Sequence, residues 1–461
     1  MLSTHVINKA PAQFPPSFLE HRESRNNAGN AHGIAVDLGT TTIAVYLCHT
    51  NNREVVSSVA VKNPQSLYGD DVMSRIGAID MKRDSLDHLQ KIVVKGIEWG
   101  ITLLLEKAGL DQNALGNMVV VGNPTMIHIL IGENPSPLGR YPYIPVFHEA
   151  KILNAADIGF SLDHVVLQTL PQISGFIGGD ILSAALAVDM EHQPEGTLLI
   201  DLGTNGELLF KDKKTLFAAS CATGPAFEGA TLSCGIQAIP GAINKVSIIN
   251  DFDFPEYTTV NPNGSKNIKP CGVCGTGVRS SVAELCRHGI IEPSGAFTKK
   301  NTIRPLVRDN DNRLKYILLP EDETQDGRAI SISQQDVRSV QLGKAAIITG
   351  IECLLKAAGY DHPNKIIIAG AFGTFIEMED MFTLGMIPAI ATEQVEIVGN
   401  SAGAGAVMAL CDNTYLQKAI EMASQVVTID LTCDIQFQEI FVQKLRFPHL
   451  KNDNEPSRVQ V

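Results

Sequence analysis

Basic residues are in short supply in this chain. Lys and Arg number 37 against 50 Asp and Glu in 461 residues, which gives a formal net charge of −13 and a pI near 5.4. No block of Lys and Arg interleaves with aromatics, and binding to a phosphate backbone needs such clustering, so nucleic acid is not an expected partner. No uninterrupted apolar run reaches the ~18 residues of a membrane span, and no membrane partner is expected. The N-terminus lacks the basic-then-apolar order of a secretory signal. Cysteine is sparse: nine residues, an odd number, fit a reducing cytoplasm better than a disulfide framework. One Cys-x-x-Cys, Cys271 to Cys274, stands without a second pair, whereas four-thiolate sites usually show tighter clustering. Small buried thiols are therefore expected, and no iron–sulfur cluster. His128, His148 and His192 lie in unrelated contexts, with no His-Glu-x-x-His or Ser/His/Asp arrangement for hydrolytic chemistry.

What the chain does have is a repeated stretch. From Gly33 to Leu47 an apolar run ends in Asp37, a Gly39-Thr40-Thr41-Thr42 tetrad follows, and a second apolar run resumes. The pattern predicts strand, tight turn, strand. Gly39 allows close backbone approach, and the threonines offer hydroxyls and successive amides to a polyanion. Asp37 can hold a hydrated Mg²⁺ against phosphate oxygens. An ordinary hairpin whose acid caps its own turn is the alternative. From Leu198 to Phe210 the pattern recurs, with Asp201 followed by Gly203-Thr204-Asn205-Gly206. Each copy is then followed by a third strand (near 55–61 and 215–220), a helix (near 86–108 and 337–358) and a buried strand ending in glycine (within 118–125 and 365–373). Such a duplication is weighed before anything else in assigning a fold. It predicts two α/β halves, with Asp37 and Asp201 on opposite sides of one cleft.

Residues 1–32 read as a polar linker or tail with no core role, 33–190 as the first domain and 191–411 as the second with an excursion over 250–330. Residues 412–461 read as a helix–strand–helix extension. Asp180, after Gly178-Gly179, is expected at a helix N-terminus, where a carboxylate caps amides. Gly275-Thr276-Gly277 opens an amphipathic helix, so its amides can face a ligand at the positive end.

Together these segments resemble the acetate and sugar kinase, heat-shock chaperone and actin superfamily, which implies two RNase H-like α/β domains around a nucleotide cleft. In that likeness Asp37–Thr42 and Asp201–Gly206 are the two phosphate segments, and 366–373, with Gly370, Ala371, Phe372 and Gly373, is the adenosine segment. Residues 176–185 and 399–406 are the connecting helices at the hinge. The resemblance implies that Asp180 orients attacking water and that Gly275–Gly277 lie beside ribose and adenine.

A narrower resemblance rests on Ala35–Thr42, Asn63-Pro-Gln with Tyr68-Gly-Asp-Asp-Val72 and Arg75, Val121–Met126, Asp201–Glu207, Gly224–Gly229, Cys271–Gly277 and Ala369–Gly373. The combination is similar to the ATP-binding domain of the reductive activators of corrinoid proteins, over about residues 33–447. It implies ATP and Mg²⁺ as cofactors, a corrinoid protein as partner and an ATPase helping Co(II) return to Co(I). Those activators also carry an iron–sulfur domain. Only residues 1–32 precede the first strand here, so a separate ferredoxin or other low-potential donor is expected. A cluster shared across a homodimer, each subunit giving two cysteines, is the alternative for Cys271 and Cys274. A small-molecule kinase and a regulatory ATP-binding scaffold are the competing functions.

Overall fold

The computed structural model describes residues 13–20, 31–82, 84–213, 215–224, 227, 229, 232–250, 252–261, 268–299, 302–370, 377–431 and 435–449. They fall into two compact units. One comprises Met1–Cys221, Glu352–Thr374 and Ile390–Cys433; the other comprises Ala222–Ile351, Phe375–Ala389 and Asp434–Val461.

In chain order, the first unit begins with α1 (Pro16–Glu20), β1 (His32–Leu38), β2 (Thr42–His49), β3 (Glu54–Lys62), α2 (Val72–Met81) and α3 (Asp84–Ala108). It continues with β4 (Leu115–Gly122), α4 (Pro124–Ile131), β5 (Ile152–Asn154), β6 (Val166–Thr169) and α5 (Gly179–Ala187). These strands form a six-stranded sheet in the order β3-β2-β1-β4-β6-β5. Next come β7 (Thr197–Leu202), β8 (Gly206–Lys211) and β9 (Leu216–Cys221). The second unit then supplies β10 (Ala242–Ser247), β11 (Glu256–Thr259), β12 (Gly272–Val273), α6 (Gly275–Arg287), β13 (Leu306–Arg308), β14 (Leu314–Leu319) and β15 (Ile330–Ser333). Helix α7 (Gln334–Ala358) leads to β16 (Lys365–Ala369), after which come α8 (Met378–Leu384), β17 (Val395–Gly399), α9 (Ser401–Cys411), α10 (Asn413–Gln425), β18 (Val426–Thr428) and α11 (Ile435–Lys444).

The first unit's second sheet runs β17-β16-β7-β8-β9-β18. In both sheets three antiparallel strands are followed, beside the first of them, by two parallel strands. The duplication read in the sequence is thus a duplication of topology, and the architecture is α/β with two RNase H-like sheets. The match extends to single atoms. A Cβ on Gly122 would press on the Leu38 carbonyl, and a Cβ on Gly370 would press on the Leu202 carbonyl, each one residue past the acidic position. Glycine is required where the central parallel strand passes the turn.

Strand β1 is apolar on both faces because both are covered. Ile34, Val36 and Leu38 meet Leu89, Val93 and Ile97 of α3 in one core. Ala35, with Ala44 and Tyr46 of β2, meets Ala402, Ala406 and Val407 of α9 in another. The larger side chains of β1 face α3, and its Ala35 faces α9, whose first two turns are mostly alanine and glycine.

Two expectations are corrected. The N-terminal stretch does contribute to the core: Phe18 is fully buried and stands edge-on to Tyr415 at 5.7 Å. Arg53 fastens it by donating to the Phe18 carbonyl at 2.7 Å while pairing with Asp412 at 2.7 Å. Residues 250–330 also hold more than an excursion: β11, β12, α6, β13 and β14 lie within them, and the strands join β10 and β15 in two three-stranded sheets, β11-β10-β12 and β13-β14-β15. Gln341 and Lys344 of α7 donate to the Leu445 and Arg446 carbonyls and fasten the segment after α11. Among the described residues no helix is long and apolar enough to cross a membrane.

Candidate functional site

The turn between β1 and β2 is held from behind by three side chains. Asn63 donates to the Gly39 carbonyl at 2.9 Å, Arg75 to the Thr40 carbonyl at 2.6 Å and Asn123 to the Thr40 hydroxyl at 3.1 Å. Arg75 is fully buried, and it also donates to the Gly69 carbonyl and Gln65 Oε1, each at 3.1 Å. The Gly39 amide donates to the Thr42 carbonyl at 3.1 Å, and a Cβ on Gly39 would stand 2.6 Å from that oxygen. The turn is therefore preorganised.

The turn after β7 closes in the same way, the Gly203 amide donating to the Asn205 carbonyl at 3.0 Å. The two turns meet: the hydroxyl oxygens of Thr41 and Thr204 are 3.1 Å apart. Gly370, at φ 116°, passes beside Asp201, whose Oδ1 lies 3.1 Å from where a Cβ at 370 would stand. Ala371, Phe372 and Gly373, the rest of the expected adenosine segment, lie outside the described residues.

Electrostatics gather four carboxylates around this junction. Burial, followed by the charge of Asp37, pushes Asp180 up to about 7, against the opposing pull of its backbone hydrogen bonds. Burial, followed by Asp180 and Asp37, pushes Asp201 up to about 8. Glu207 is raised well above the usual range by burial and then by Asp180 and Asp201. Asp180 lies in the first turn of α5, and its Oδ1 accepts from the Ile181 amide at 2.9 Å; the N-cap itself is Gly178. Carboxylates that raise one another in this way suit a cation.

The donor set is oxygen only, which fits a hard ion such as Mg²⁺. Among the described residues no three His, Cys, Asp or Glu side chains make a ready direct metal centre. Asp37 and Asp201, one at each turn, are the carboxylates that would hold such an ion.

Two residues escaped the reading of the sequence. Asn400 caps α9 by accepting from the Gly403 amide at 2.8 Å, and its Nδ2 donates to Asp37 Oδ2 at 2.9 Å and to the Tyr46 hydroxyl at 3.0 Å. Nothing local links it to a strand 363 positions away. Glu207 was within reach, because a tight turn over 203–205 sets residue 207 directly opposite Asp201 in the ladder. Behind them α5 and α9 cross in contact. Ser183 Oγ donates to the Ala402 carbonyl at 2.6 Å, and Gly405 lies so near the Ser183 carbonyl that no Cβ fits.

Gly275, Thr276 and Gly277 belong to the second unit, where they form the first turn of α6. Gly277 has a packing role, since a Cβ there would collide with the Ile243 carbonyl of β10. Cys274 Sγ donates to the Ile243 carbonyl at 3.3 Å, and Cys271 Sγ to the Pro240 carbonyl at 3.8 Å.

Comparison with known proteins gives concordant matches. The family described as the C-terminal domain of RACo, the ASKHA domain, matches residues 195–458, and the RACo middle region matches residues 32–193. The corrinoid activation enzyme RamQ of Eubacterium limosum is 31% identical over 427 residues, covering 90% of this chain and 70% of that protein. The Co(II) methylated amine-specific corrinoid protein reductase of Methanosarcina barkeri is 26% identical over 431 residues, covering 86% of this chain and 73% of that one. A solved reductive activator for corrinoid, iron–sulfur protein matches with a TM-score of 0.84 at 31% identity, over 92% of this chain and 67% of that one.

Proposed function

This chain belongs to the RACo family, and from that premise we propose that it binds and hydrolyses Mg·ATP while assisting the reductive reactivation of a corrinoid protein in the cytoplasm. The observation that carries the nucleotide part is the meeting of two preorganised, acid-bearing turns at Thr41 and Thr204. In this reading the amides and hydroxyls of Thr40–Thr42 and Gly203–Asn205 cradle the phosphates. Asp37, aimed by Asn400, and Asp201 would hold a hydrated Mg²⁺, which would neutralise phosphate charge. Asp180 orients the attacking water. Phosphoryl transfer to water needs positioning and charge stabilisation, not a covalent nucleophile, and this arrangement can supply both.

The redox step is separate. One electron from a ferredoxin or another low-potential donor converts Co(II) to Co(I), while ATP becomes ADP and phosphate. The two are coupled if the corrinoid protein and the nucleotide prefer the same state of this chain, because linkage is reciprocal. The test follows Co(II) loss spectroscopically with this protein, ATP or donor omitted in turn, alongside ATPase activity with and without the corrinoid protein. Loss of Co(II) that needs ATP and donor together with this chain is the expected result. Cobalt reduction equally fast without the chain, and no binding to any corrinoid protein, would overturn the reading; a phosphorylated small molecule formed in its place would identify a kinase.

A further inference from the structure

Arg75 and Arg279 are both buried arginines, and they differ in one respect. All three groups of the Arg75 guanidinium have acceptors: the Gly69 carbonyl, Gln65 Oε1 and the Thr40 carbonyl. Arg279, 2% exposed, has no hydrogen-bond partner at Nη1 or Nη2 among the described residues. The Phe227 ring lies 5.6 Å from its guanidinium carbon, which offers a face and no acceptor. The nearby carboxylate of Asp380 is engaged by Arg287 at 2.6 Å. A guanidinium cannot shed its charge at neutral pH, and leaving its donors unmet in a buried position is strongly unfavourable.

Its surroundings make the deficit larger. Arg279 lies in the second turn of α6, and helical side chains lean toward the N-terminus. That end begins at Gly275-Thr276-Gly277, whose amides precede the first intrahelical bond, Val278 N–H to the Cys274 carbonyl at 2.9 Å. Burial draws Arg279 down to about 10, while the Cys274 thiol at the cap and Asp380 act in the opposite sense. A positive helix end and a desolvated cation with unmet donors repel each other unless an anion sits between them.

We propose that the second unit carries an oxyanion site, formed by the Arg279 guanidinium and the amides of Gly275–Gly277 at the start of α6, that takes a phosphate group. The group can come from free phosphate or from a nucleotide, and the proposal does not depend on the assignment of the two acidic turns.

The test uses the full chain and inorganic phosphate as probe, by calorimetry in nucleotide-free buffer, on wild type, Arg279→Met and Arg279→Lys. Arg279→Met is expected to fold and to lose phosphate affinity by about tenfold or more, with partial recovery in Arg279→Lys. Mg·ATP titrations on the same proteins distinguish the sources. A parallel loss of Mg·ATP affinity in Arg279→Met assigns the site to a nucleotide phosphate, and an unchanged affinity assigns it to a free anion. Phosphate binding that is equal in wild type and Arg279→Met overturns the proposal.

Discussion

Asn400 donates a hydrogen bond of 2.9 Å to Asp37, the acid of the first turn, while its own oxygen caps the helix that follows it. One amide thereby fixes a carboxylate's direction and a helix's starting point, so the aim of Asp37 depends on where α9 begins. Aspartate at 400 would keep the cap and set an acceptor against Asp37. Asn400→Asp should therefore fold and lose Mg·ATP affinity by about tenfold, roughly 1.4 kcal/mol. Calorimetry that gives the wild-type affinity would show that Asp37 needs no such aim.

Asp201→Asn removes one of the two carboxylates expected to hold the hydrated Mg²⁺. Mg·ATP binding should fall below detection while the thermal midpoint stays level or rises, because the native carboxylate is strained by burial and by Asp180 and Asp37. A clear drop in midpoint would instead make Asp201 a structural residue.

The same strain predicts a pH dependence. Folded-state values of about 7 for Asp180 and about 8 for Asp201 exceed the ordinary carboxylate range, so the folded protein binds more protons than the unfolded chain between those limits. Stability of the metal-free protein should fall as pH rises through about 6.5 to about 8. His128, lowered to about 4 by burial, acts in the opposite sense but only below its unfolded value, and Lys344, lowered to about 8, acts only above this window. Urea midpoints in chelator, at about pH 6.5 and about pH 8, should decrease, and saturating Mg·ATP should flatten the slope. A midpoint that increases over this range would contradict the carboxylate cluster.

Two glycines give opposite expectations. Gly405→Ala places a Cβ against the Ser183 carbonyl and should destabilise by roughly 1–3 kcal/mol or more. Gly77, inside α2, has open space where a Cβ would stand, with nothing within 4 Å, and Gly77→Ala should stabilise by roughly 0.5–1 kcal/mol through helix propensity. Thermal denaturation of both variants measures the contrast.

Anaerobically purified protein should be colourless and iron-free. The two thiols of the Cys-x-x-Cys donate to separate carbonyls, Pro240 for Cys271 and Ile243 for Cys274. Stoichiometric iron with a visible absorption band would revive a cluster shared between subunits.

The fold was legible where chemistry repeats locally. An apolar run ending in Asp and Gly-Thr announces each hairpin, and the glycine after each buried parallel strand marks where it passes the turn. Strand β5 was not legible: it has three residues, two of them exposed, and it exists only because β6 offers an edge. Phe18 was hidden in a polar, proline-bearing stretch whose partners, Arg53 and Tyr415, are distant in sequence. In the candidate site, Asp37, Asp180 and Asp201 could be named from their turns. Asn400 could not, because its partnership with Asp37 is purely tertiary.

The crossing of α5 and α9 has a mechanical consequence. Where Gly405 lies against the Ser183 carbonyl, two backbones touch with no side chain between them. Side chains that interlock at such a crossing act as gear teeth, and sliding would have to lift one over the next. A bare backbone contact has no teeth, but the Ser183 bond to the Ala402 carbonyl pins it at one point. The pair is therefore registered at that point by the pin, while Leu182 and Leu186 of α5 share a core with Val407 and Met408 of α9 around it.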